Sequence, residues 1–318
     1  MTVAPASQPD LTAFPARPTT RFAPAPTGFL HLGHVANAIH VWGLAGALGG
    51  RVVLRIEDHD RQRCRPAYET ALLDDLVALG LRPDEPAIAS LRAGPSPFRQ
   101  SDSGAAYATA LESLGERGLA YACACTRATF ERCAIERGRP FDGPGCPGDC
   151  RVHHLRADEP LDRVAGVGVR VALGDGAEGW HDLLAGDQVG RPSATGDFLA
   201  RDRHDNWTYG FAVVVDDLRH GIDLVVRGRD LLTATPAQIR LGRLLGRPSP
   251  PAFAHHPLVR KSNGAKLSKA DADTAVRELV AGGTTPAELF GAAAAAVGLV
   301  EASGPIEPAE LARLFGAS

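Results

Sequence analysis

A strand–turn–helix–strand pattern within residues 21–58 is the feature that most restricts the fold of this chain. Residues 22–25 predict a short strand, which is followed by prolines and a glycine turn. Residues 34–48 carry apolar side chains at helical spacing and end in a Gly-Gly pair. Residues 51–56 form an apolar run typical of a buried strand. This order indicates a parallel sheet with a crossover helix, and therefore an α/β fold.

The pattern divides the 318 residues into five expected segments. They are a flexible Pro-rich arm (1–18), the first half of the main α/β domain (19–102), a small inserted domain (103–205), the second half of the main α/β domain (206–270) and a short C-terminal helical segment (271–318). Further helices are expected over Tyr68–Leu79, Ala105–Gly118, Pro236–Leu245 and Ala292–Val297. The sheet is expected to resume at Phe211–Val215 and at Leu224–Val226.

Composition excludes several classes of protein. The chain has 34 Lys and Arg against 37 Asp and Glu, a net charge of −3, so a basic coat for nucleic acid is excluded while a local basic patch is not. No apolar run approaches the ~18–20 residues of a membrane span, and the N-terminus lacks the pattern of a secretion signal. We therefore expect a cytoplasmic protein that does not act at a membrane. We also expect a monomer.

A glycine turn with two histidines precedes the first helix. Because helix N-termini present unpaired amides and a positive dipole end, this turn is suited to phosphate. His31 and His34 are spaced to face the same way, and Gly33 allows a ligand to approach the backbone closely. The pattern predicts a nucleotide site, although half of a metal site or an ordinary exposed helix start also fits it.

Lysine is confined to one loop. The chain has 31 Arg but only three Lys, at Lys261, Lys266 and Lys269. Lysine is a compact cation that reaches phosphate from a mobile loop, whereas arginine is a planar fork. The restriction predicts a phosphate-binding loop, and the alternative is a solvated charged loop.

Taken together, these segments resemble the two signature motifs of class I aminoacyl-tRNA synthetases. Arg21-Phe22-Ala23-Pro24 with His31-Leu32-Gly33-His34 is similar to the first motif, and Lys266-Leu267-Ser268-Lys269 to the second. Residues 55–58, 213–217 and 226–230 resemble the glutamyl branch, and the resemblance runs in order from about 21 to 270. It implies the class I Rossmann-type parallel sheet with an inserted zinc-containing small domain.

The chain ends at Ser318, 49 residues after Lys269, so we expect no anticodon-binding domain. In this respect it resembles the glutamyl-queuosine tRNA(Asp) synthetase family. The resemblance implies ATP- and Mg²⁺-dependent activation of L-glutamate to glutamyl-adenylate, and transfer to the queuosine base at the wobble position of tRNA(Asp). Three alternatives stay open: a compact synthetase charging the 3′ end of tRNA(Glu), a non-catalytic RNA-binding relative, and activation for another small acceptor.

The resemblance also assigns residues. The catalytic set is His31, His34, Lys266 and Lys269. The ATP set is Pro24, Gly28, His31, Gly33, His34, Lys266, Ser268 and Lys269. The glutamate set is Arg21, Phe22, Ala23, Pro24, Ala25, Glu57, Tyr209 and Arg227. In this scheme Arg21 and Arg227 bind carboxylates and Glu57 binds the ammonium group.

Taken alone, some of these residues have other interpretations. Both arginines fit exposed strand ends, Glu57 fits a helix cap or a bridge to Arg55, and Tyr209 fits a core position. Two positions depart from the family pattern, with Gly210 where Asn is expected and Ala270 where Ser is expected.

Cysteines in the expected inserted domain form two close pairs. Cys123 and Cys125 are followed by Cys146 and Cys150, a spacing suited to a tetrahedral structural Zn²⁺ site. Unligated core cysteines are the alternative, and Cys133 is a rival ligand. Because the intervening segment has few apolar residues, the metal would fold it.

Overall fold

The structure is a computed structural model that describes residues 11, 14, 16–136, 161, 166–259 and 274–316. The helices are α1 (Leu32–Ala47), α2 (Pro66–Ala78), α3 (Ile88–Ala93), α4 (Gly104–Glu116), α5 (Arg127–Glu136), α6 (Tyr209–Arg219), α7 (Thr235–Leu244), α8 (Val276–Ala281) and α9 (Pro286–Ala296). The strands are β1 (Thr19–Phe22), β2 (Arg51–Leu54), β3 (Ala120–Cys123), β4 (Gly168–Val171), β5 (Glu178–Asp182), β6 (Gly186–Gly190), β7 (Phe198–Arg201), β8 (Leu224–Gly228) and β9 (Ala252–His256).

Parallel strands form the centre of the fold. β1 pairs in parallel with β2, and β8 pairs in parallel with β9. The Asp223 amide donates to the Thr19 carbonyl oxygen at 3.0 Å, which brings β8 beside β1. α1 crosses from β1 to β2, so the predicted βαβ unit and the parallel α/β architecture are confirmed.

The main core lies between this sheet and α1. Ile39, Val41 and Leu44 of α1 are completely buried. A short 3₁₀ segment near the C-terminus, Pro308–Phe315, also packs against α1. An added Cβ at Gly43 would lie 2.3 Å from the Phe315 ring, so this close approach requires glycine.

Two of the predicted strands are corrected. The predicted strand at 22–25 instead ends at Phe22, because the prolines that follow cannot donate to a ladder. Phe211–Val215 is not a strand but part of α6. All five of its side chains are buried, since α6 packs against α4, α7 and β7. A short apolar run of this kind does not separate a buried strand from a buried helix by periodicity.

The segment expected as an insertion contributes to two sheets. β3, β4 and β7 form an antiparallel sheet in that order. The β5–β6 hairpin instead joins the central sheet, where Asp182 pairs in parallel with Phe253 of β9. Residues 178–190 are therefore part of the sheet that carries β8 and β9.

Candidate active site

A cavity of about 510 Å³ opens at the carboxyl ends of β1 and β8. Residues from both predicted substrate sets line it together: Arg21, Phe22, Ala23, Pro24, Ala25, His31, Gly33, His34, Glu57, Tyr209 and Arg227. Ligands in open α/β sheets bind at this end of the strands. The structure thus brings the two sets into one site, although Gly28 is not among the lining residues.

A buried cluster of two arginines and two carboxylates lies at one wall. Arg55, which is completely buried, donates to Asp217 Oδ1 at 2.7 Å and to Glu57 Oε1 at 2.9 Å. Arg21 Nε donates to the same Asp217 oxygen at 3.2 Å. Burial opposes ionisation, but Arg21 and Arg55 outweigh it and hold the pKa of Asp217 below its ordinary value. The bridge from Glu57 to Arg55 is therefore present, and Glu57 also lines the cavity.

Arg227 has a different environment, because its partners are neutral. Its guanidinium donates to His255 Nε2 at 2.9 Å, to Thr235 Oγ1 at 2.9 Å and to Gln238 Oε1. In the part of the chain that the structure describes, no carboxylate lies within ion-pair distance of it. Burial, with Arg21 nearby, lowers the pKa of Arg227 below its ordinary value. A buried cation that lines a cavity without a counter-ion favours an anionic ligand.

Tyr209 begins α6 and lines the cavity near Arg227. Burial, and secondly the charge of Glu57, raise the pKa of its phenol. The hydroxyl is therefore a neutral donor at neutral pH. At the next position, an added Cβ on Gly210 would lie 2.6 Å from the Phe198 ring. Phe198 thus fills the space that the expected Asn side chain would need.

The two histidines of the glycine turn cap α1. His31 Nδ1 accepts from the Gly33 amide, and His34 Nδ1 accepts from the His31 amide, each at 3.1 Å. A neutral imidazole that accepts at Nδ1 carries its proton on Nε2. An added Cβ at Gly33 would lie 2.9 Å from the His31 ring, so glycine permits this cap. Both histidines therefore lie half-buried at the start of α1 and line the cavity, and the nucleotide site stays a prediction.

Three polar lining residues were missed from sequence: Asn37, Asp230 and His256. Asn37 lies one turn after His34 on α1, so helical spacing was a usable signal for it. His256 carries no such signal, because it reaches the cavity from β9. Its Nδ1 donates to the Pro257 carbonyl, and Asn37 donates to its Nε2 at 3.0 Å.

Several predicted residues lie outside the described ranges: Lys266, Ser268, Lys269, Ala270, Cys146 and Cys150. Cys123 ends β3, and Cys125 follows it beside a cavity of about 290 Å³. Cys125 is disulfide-bonded, whereas Cys123 and Cys64 form no disulfide. Within the described ranges, no three His, Cys, Asp or Glu side chains are grouped to hold a metal ion.

Among the helices of the described ranges, none is both long and apolar enough to cross a membrane.

Comparison with known proteins agrees with this site. The family model described as "tRNA synthetases class I (E and Q), catalytic domain" matches residues 18–299. The glutamyl-Q tRNA(Asp) synthetase of Symbiobacterium thermophilum is 41% identical over 93% of this chain and 91% of the relative. That of Rhodobacter capsulatus is 39% identical over 85% of this chain and 97% of the relative.

Full-length glutamate ligases match over part of their length. Glutamate--tRNA ligase 2 of Syntrophus aciditrophicus is 37% identical over 86% of this chain and 56% of the ligase. The crystal structure of a glutamate tRNA ligase from Elizabethkingia meningosepticum, in complex with its amino acid, has a TM-score of 0.75 and 26% identity. That match covers 95% of this chain and 66% of the solved one.

The matched domain spans both halves of the cavity, and the relatives named for glutamyl-Q tRNA(Asp) are covered over nearly their whole length. The chain therefore belongs to the class I tRNA synthetases of the glutamyl and glutaminyl group and, within it, to the glutamyl-Q tRNA(Asp) synthetase family.

Proposed function

We propose that this enzyme activates L-glutamate with ATP and transfers the glutamyl group to the queuosine base at the wobble position of tRNA(Asp). The observation that carries the proposal is the buried Arg227 guanidinium, which lines the cavity and has no carboxylate partner among the described residues. A substrate carboxylate supplies the missing charge and accepts two parallel hydrogen bonds from such a group. The queuosine acceptor is carried over from the names of the relatives.

The amino acid is held by charge at three points in this proposal. Arg227 and Arg21 bind its carboxylates, and Tyr209 donates its hydroxyl to a substrate oxygen. Glu57 binds the ammonium group through Oε2, because Arg55 holds Oε1. The backbone of residues 22–25 runs along the substrate. The buried cluster that fixes Glu57 supports this scheme, because the ion pair with Arg55 orients that carboxylate at the cavity wall.

The nucleotide lies at the start of α1. His31 and His34 carry Nε2–H donors that suit phosphate or ribose oxygens, and the amides of the helix start add a positive dipole end. Lys266 and Lys269, outside the described residues, are assigned to the β- and γ-phosphates. Mg²⁺ enters with ATP and supplies further neutralisation of the phosphate charge.

Two steps follow from this arrangement. An oxygen of the glutamate α-carboxylate attacks the α-phosphorus of ATP in line, and the bond to pyrophosphate breaks. A queuosine hydroxyl then attacks the activated carbonyl, loses its proton and displaces AMP. The protein contributes position and charge stabilisation, and no side chain forms a covalent bond.

A structural Zn²⁺ site is a further part of the proposal. Cys123 and Cys125 stand at the end of β3, and Cys146 with Cys150 completes four thiolates. Since a disulfide sulfur cannot ligate zinc as a thiolate, the site requires reduced Cys125. We expect one zinc per chain by mass spectrometry of reduced protein. Cys125→Ser should lose it and Cys64→Ser should keep it, whereas equal zinc in both variants would contradict the assignment.

The acceptor is tested with purified protein, ATP, Mg²⁺ and labelled glutamate. Three tRNAs are compared: tRNA(Asp) with queuosine, tRNA(Asp) without it, and tRNA(Glu). We expect label on the first alone. Label on tRNA(Glu) would favour a compact charging enzyme, which the 37% identity to a glutamate ligase makes the specific rival. No label and no ATP–pyrophosphate exchange would favour a non-catalytic relative.

A matched pair of variants links the assay to the cavity. Arg227→Gln should abolish glutamate-dependent exchange, whereas Arg313→Gln should not, because Arg313 is exposed on the C-terminal segment. Equal exchange by both variants would remove Arg227 from the proposed site.

A further inference from the structure

A completely buried histidine separates Arg227 from the nearest carboxylate in its hydrogen-bond chain. Arg227 Nε donates to His255 Nε2 at 2.9 Å. Because an arginine Nε can only donate, His255 Nε2 must accept and cannot carry a proton. The ring is therefore neutral, with its proton on Nδ1.

Asp182 faces that proton. Its Oδ2 accepts from His255 Nδ1, and both side chains are completely buried. Its Oδ1 accepts three backbone amides, from Leu184 at 3.1 Å, Ala185 at 3.0 Å and His255 at 3.1 Å. These bonds outweigh burial and hold the pKa of Asp182 below its ordinary value. Asp182 is thus a carboxylate whose two oxygens have different, fixed partners.

The interposed ring has an electrostatic consequence. A carboxylate in direct contact with Arg227 would neutralise it and compete with a substrate anion. The neutral imidazole holds Nε in position and keeps the carboxylate one ring away. Thr235 and Gln238, which hold the other nitrogens, are neutral as well. A guanidinium has five N–H groups, and these three partners fix its orientation. Tyr209, which also lines the cavity, is a further neutral hydrogen-bond partner of Arg227.

We propose that Asp182 and His255 are positioning residues that hold the Arg227 guanidinium, still fully charged, for the carboxylate of the amino-acid substrate. The proposal rests on the proposed function, in which Arg227 binds glutamate. The β5–β6 hairpin places Asp182 in the central sheet, where it pairs with Phe253 of β9, two residues before His255.

Asp182→Asn separates positioning from packing. The three amides hold the Asn oxygen at the Oδ1 position, so its NH₂ group faces His255 Nδ1. Nδ1 must then accept, and the proton moves to Nε2, where it opposes the Arg227 Nε–H. An Asp→Asn change of this kind leaves geometry intact and imposes the wrong tautomer, as in the serine-protease triad. We expect glutamate affinity to fall at least tenfold while ATP affinity changes less than twofold.

Two variants of His255 provide a rescue test. His255→Asn keeps a donor near Asp182 but loses the acceptor for Arg227. His255→Gln extends further and places an acceptor oxygen near the former Nε2. We expect glutamate binding to be weak in the Asn variant and largely restored in the Gln variant. Equal loss in both would indicate a packing role and overturn the proposal.

The same hairpin offers a matched control. His181 Nδ1 and Asp187 Oδ1 form a second His–Asp pair at 2.7 Å, which is exposed and is not part of the chain that runs from Asp182 through His255 to Arg227. Asp187→Asn and His181→Gln should leave glutamate affinity unchanged. If these controls weaken glutamate binding as much as Asp182→Asn does, the relay has no specific role.

Glutamate affinity is measured by calorimetry with the full chain, and the Michaelis constants for glutamate and ATP by pyrophosphate exchange with tRNA present. A rise in both Michaelis constants together, or a lower melting temperature with unchanged glutamate affinity, would overturn the positioning role. The proposed function fails separately, if the wild-type protein neither binds glutamate nor exchanges pyrophosphate.

Discussion

Replacing Arg55 by leucine tests the buried cluster that supports the cavity. Arg55 is completely buried and holds Glu57 at 2.9 Å and Asp217 at 2.7 Å. After the change, Asp217 keeps Arg21, whereas Glu57 has no ion-pair partner among the residues that the structure covers. Removing one partner of a buried pair costs about 3–5 kcal/mol, because the other charge stays out of water.

The loss is large enough to measure by two methods. For a chain of this size, each kcal/mol lowers the melting temperature by roughly 2 °C, so we expect a fall of about 6–10 °C. Urea unfolding at pH 7.5 should report the corresponding loss of free energy of unfolding. Arg63→Leu is the control, because its pair with Asp60 at 3.0 Å is on an exposed side chain. Such surface pairs contribute about 0–1 kcal/mol.

A second substitution identifies the cause. Adding Glu57→Gln to Arg55→Leu removes the carboxylate that was left alone, so part of the lost stability should return. An Arg55→Leu variant within 1 kcal/mol of the wild type would refute the reasoning. So would a double variant that is less stable than the single one, since the stranded charge could not then be the source of the loss.

Two further predictions concern α1. Burial lowers the pKa of His40 to about 3 and of His256, stacked on it, to about 4, from 6.5. Below pH 6.5 the unfolded chain therefore binds protons that the folded chain does not. The free energy of unfolding should therefore fall by about 2 kcal/mol per histidine between pH 7.5 and pH 5. In urea unfolding at the two pH values, His40→Phe should show a smaller loss than the wild type. An equal loss in the variant and the wild type would contradict this prediction. Gly43→Ala should lower the free energy of unfolding by about 1–3 kcal/mol, because the added methyl group would clash with Phe315. Gly104→Ala is the control and should cost less than about 1 kcal/mol, because its added Cβ would meet only one atom, at 3.9 Å. Equal stabilities of the two variants would refute the packing argument.

Much of the cavity was predictable because its parts lie close to one another in the chain or at equivalent strand ends. The glycine turn follows β1 and Glu57 follows β2 in the same βαβ unit. Because the two strands are parallel, both segments lie at the same edge of the sheet. Arg227 ends a neighbouring parallel strand and reaches the same edge for the same reason. The residue roles, the lysine loop and the second cysteine pair stay predictions.

The helix α6 shows where pattern alone fails. Its apolar run is buried on all sides, and a helix and a strand then present the same string of residues. Whether such a segment forms a helix or a strand depends on what packs around it. Here α4 and α7 pack around it. α4 ends more than 90 residues before α6, and α7 begins 16 residues after α6 ends. Tertiary packing overrides strand propensity at such positions.

The sequence by itself determined the βαβ unit and the helix start, because periodicity and turn chemistry act over a few residues. The resemblance to known motifs, and not spacing, singled out Arg21, Glu57 and Arg227. Only the tertiary structure decided which partners these charges have. Arg55 meets Asp217 across 162 residues, and Asp182 meets His255 across 73. No local pattern records such contacts. They give Arg21 a carboxylate partner in Asp217 and give Arg227 the neutral partners His255, Thr235 and Gln238. In a buried site each such partner strongly influences the charge, because the local dielectric constant is low.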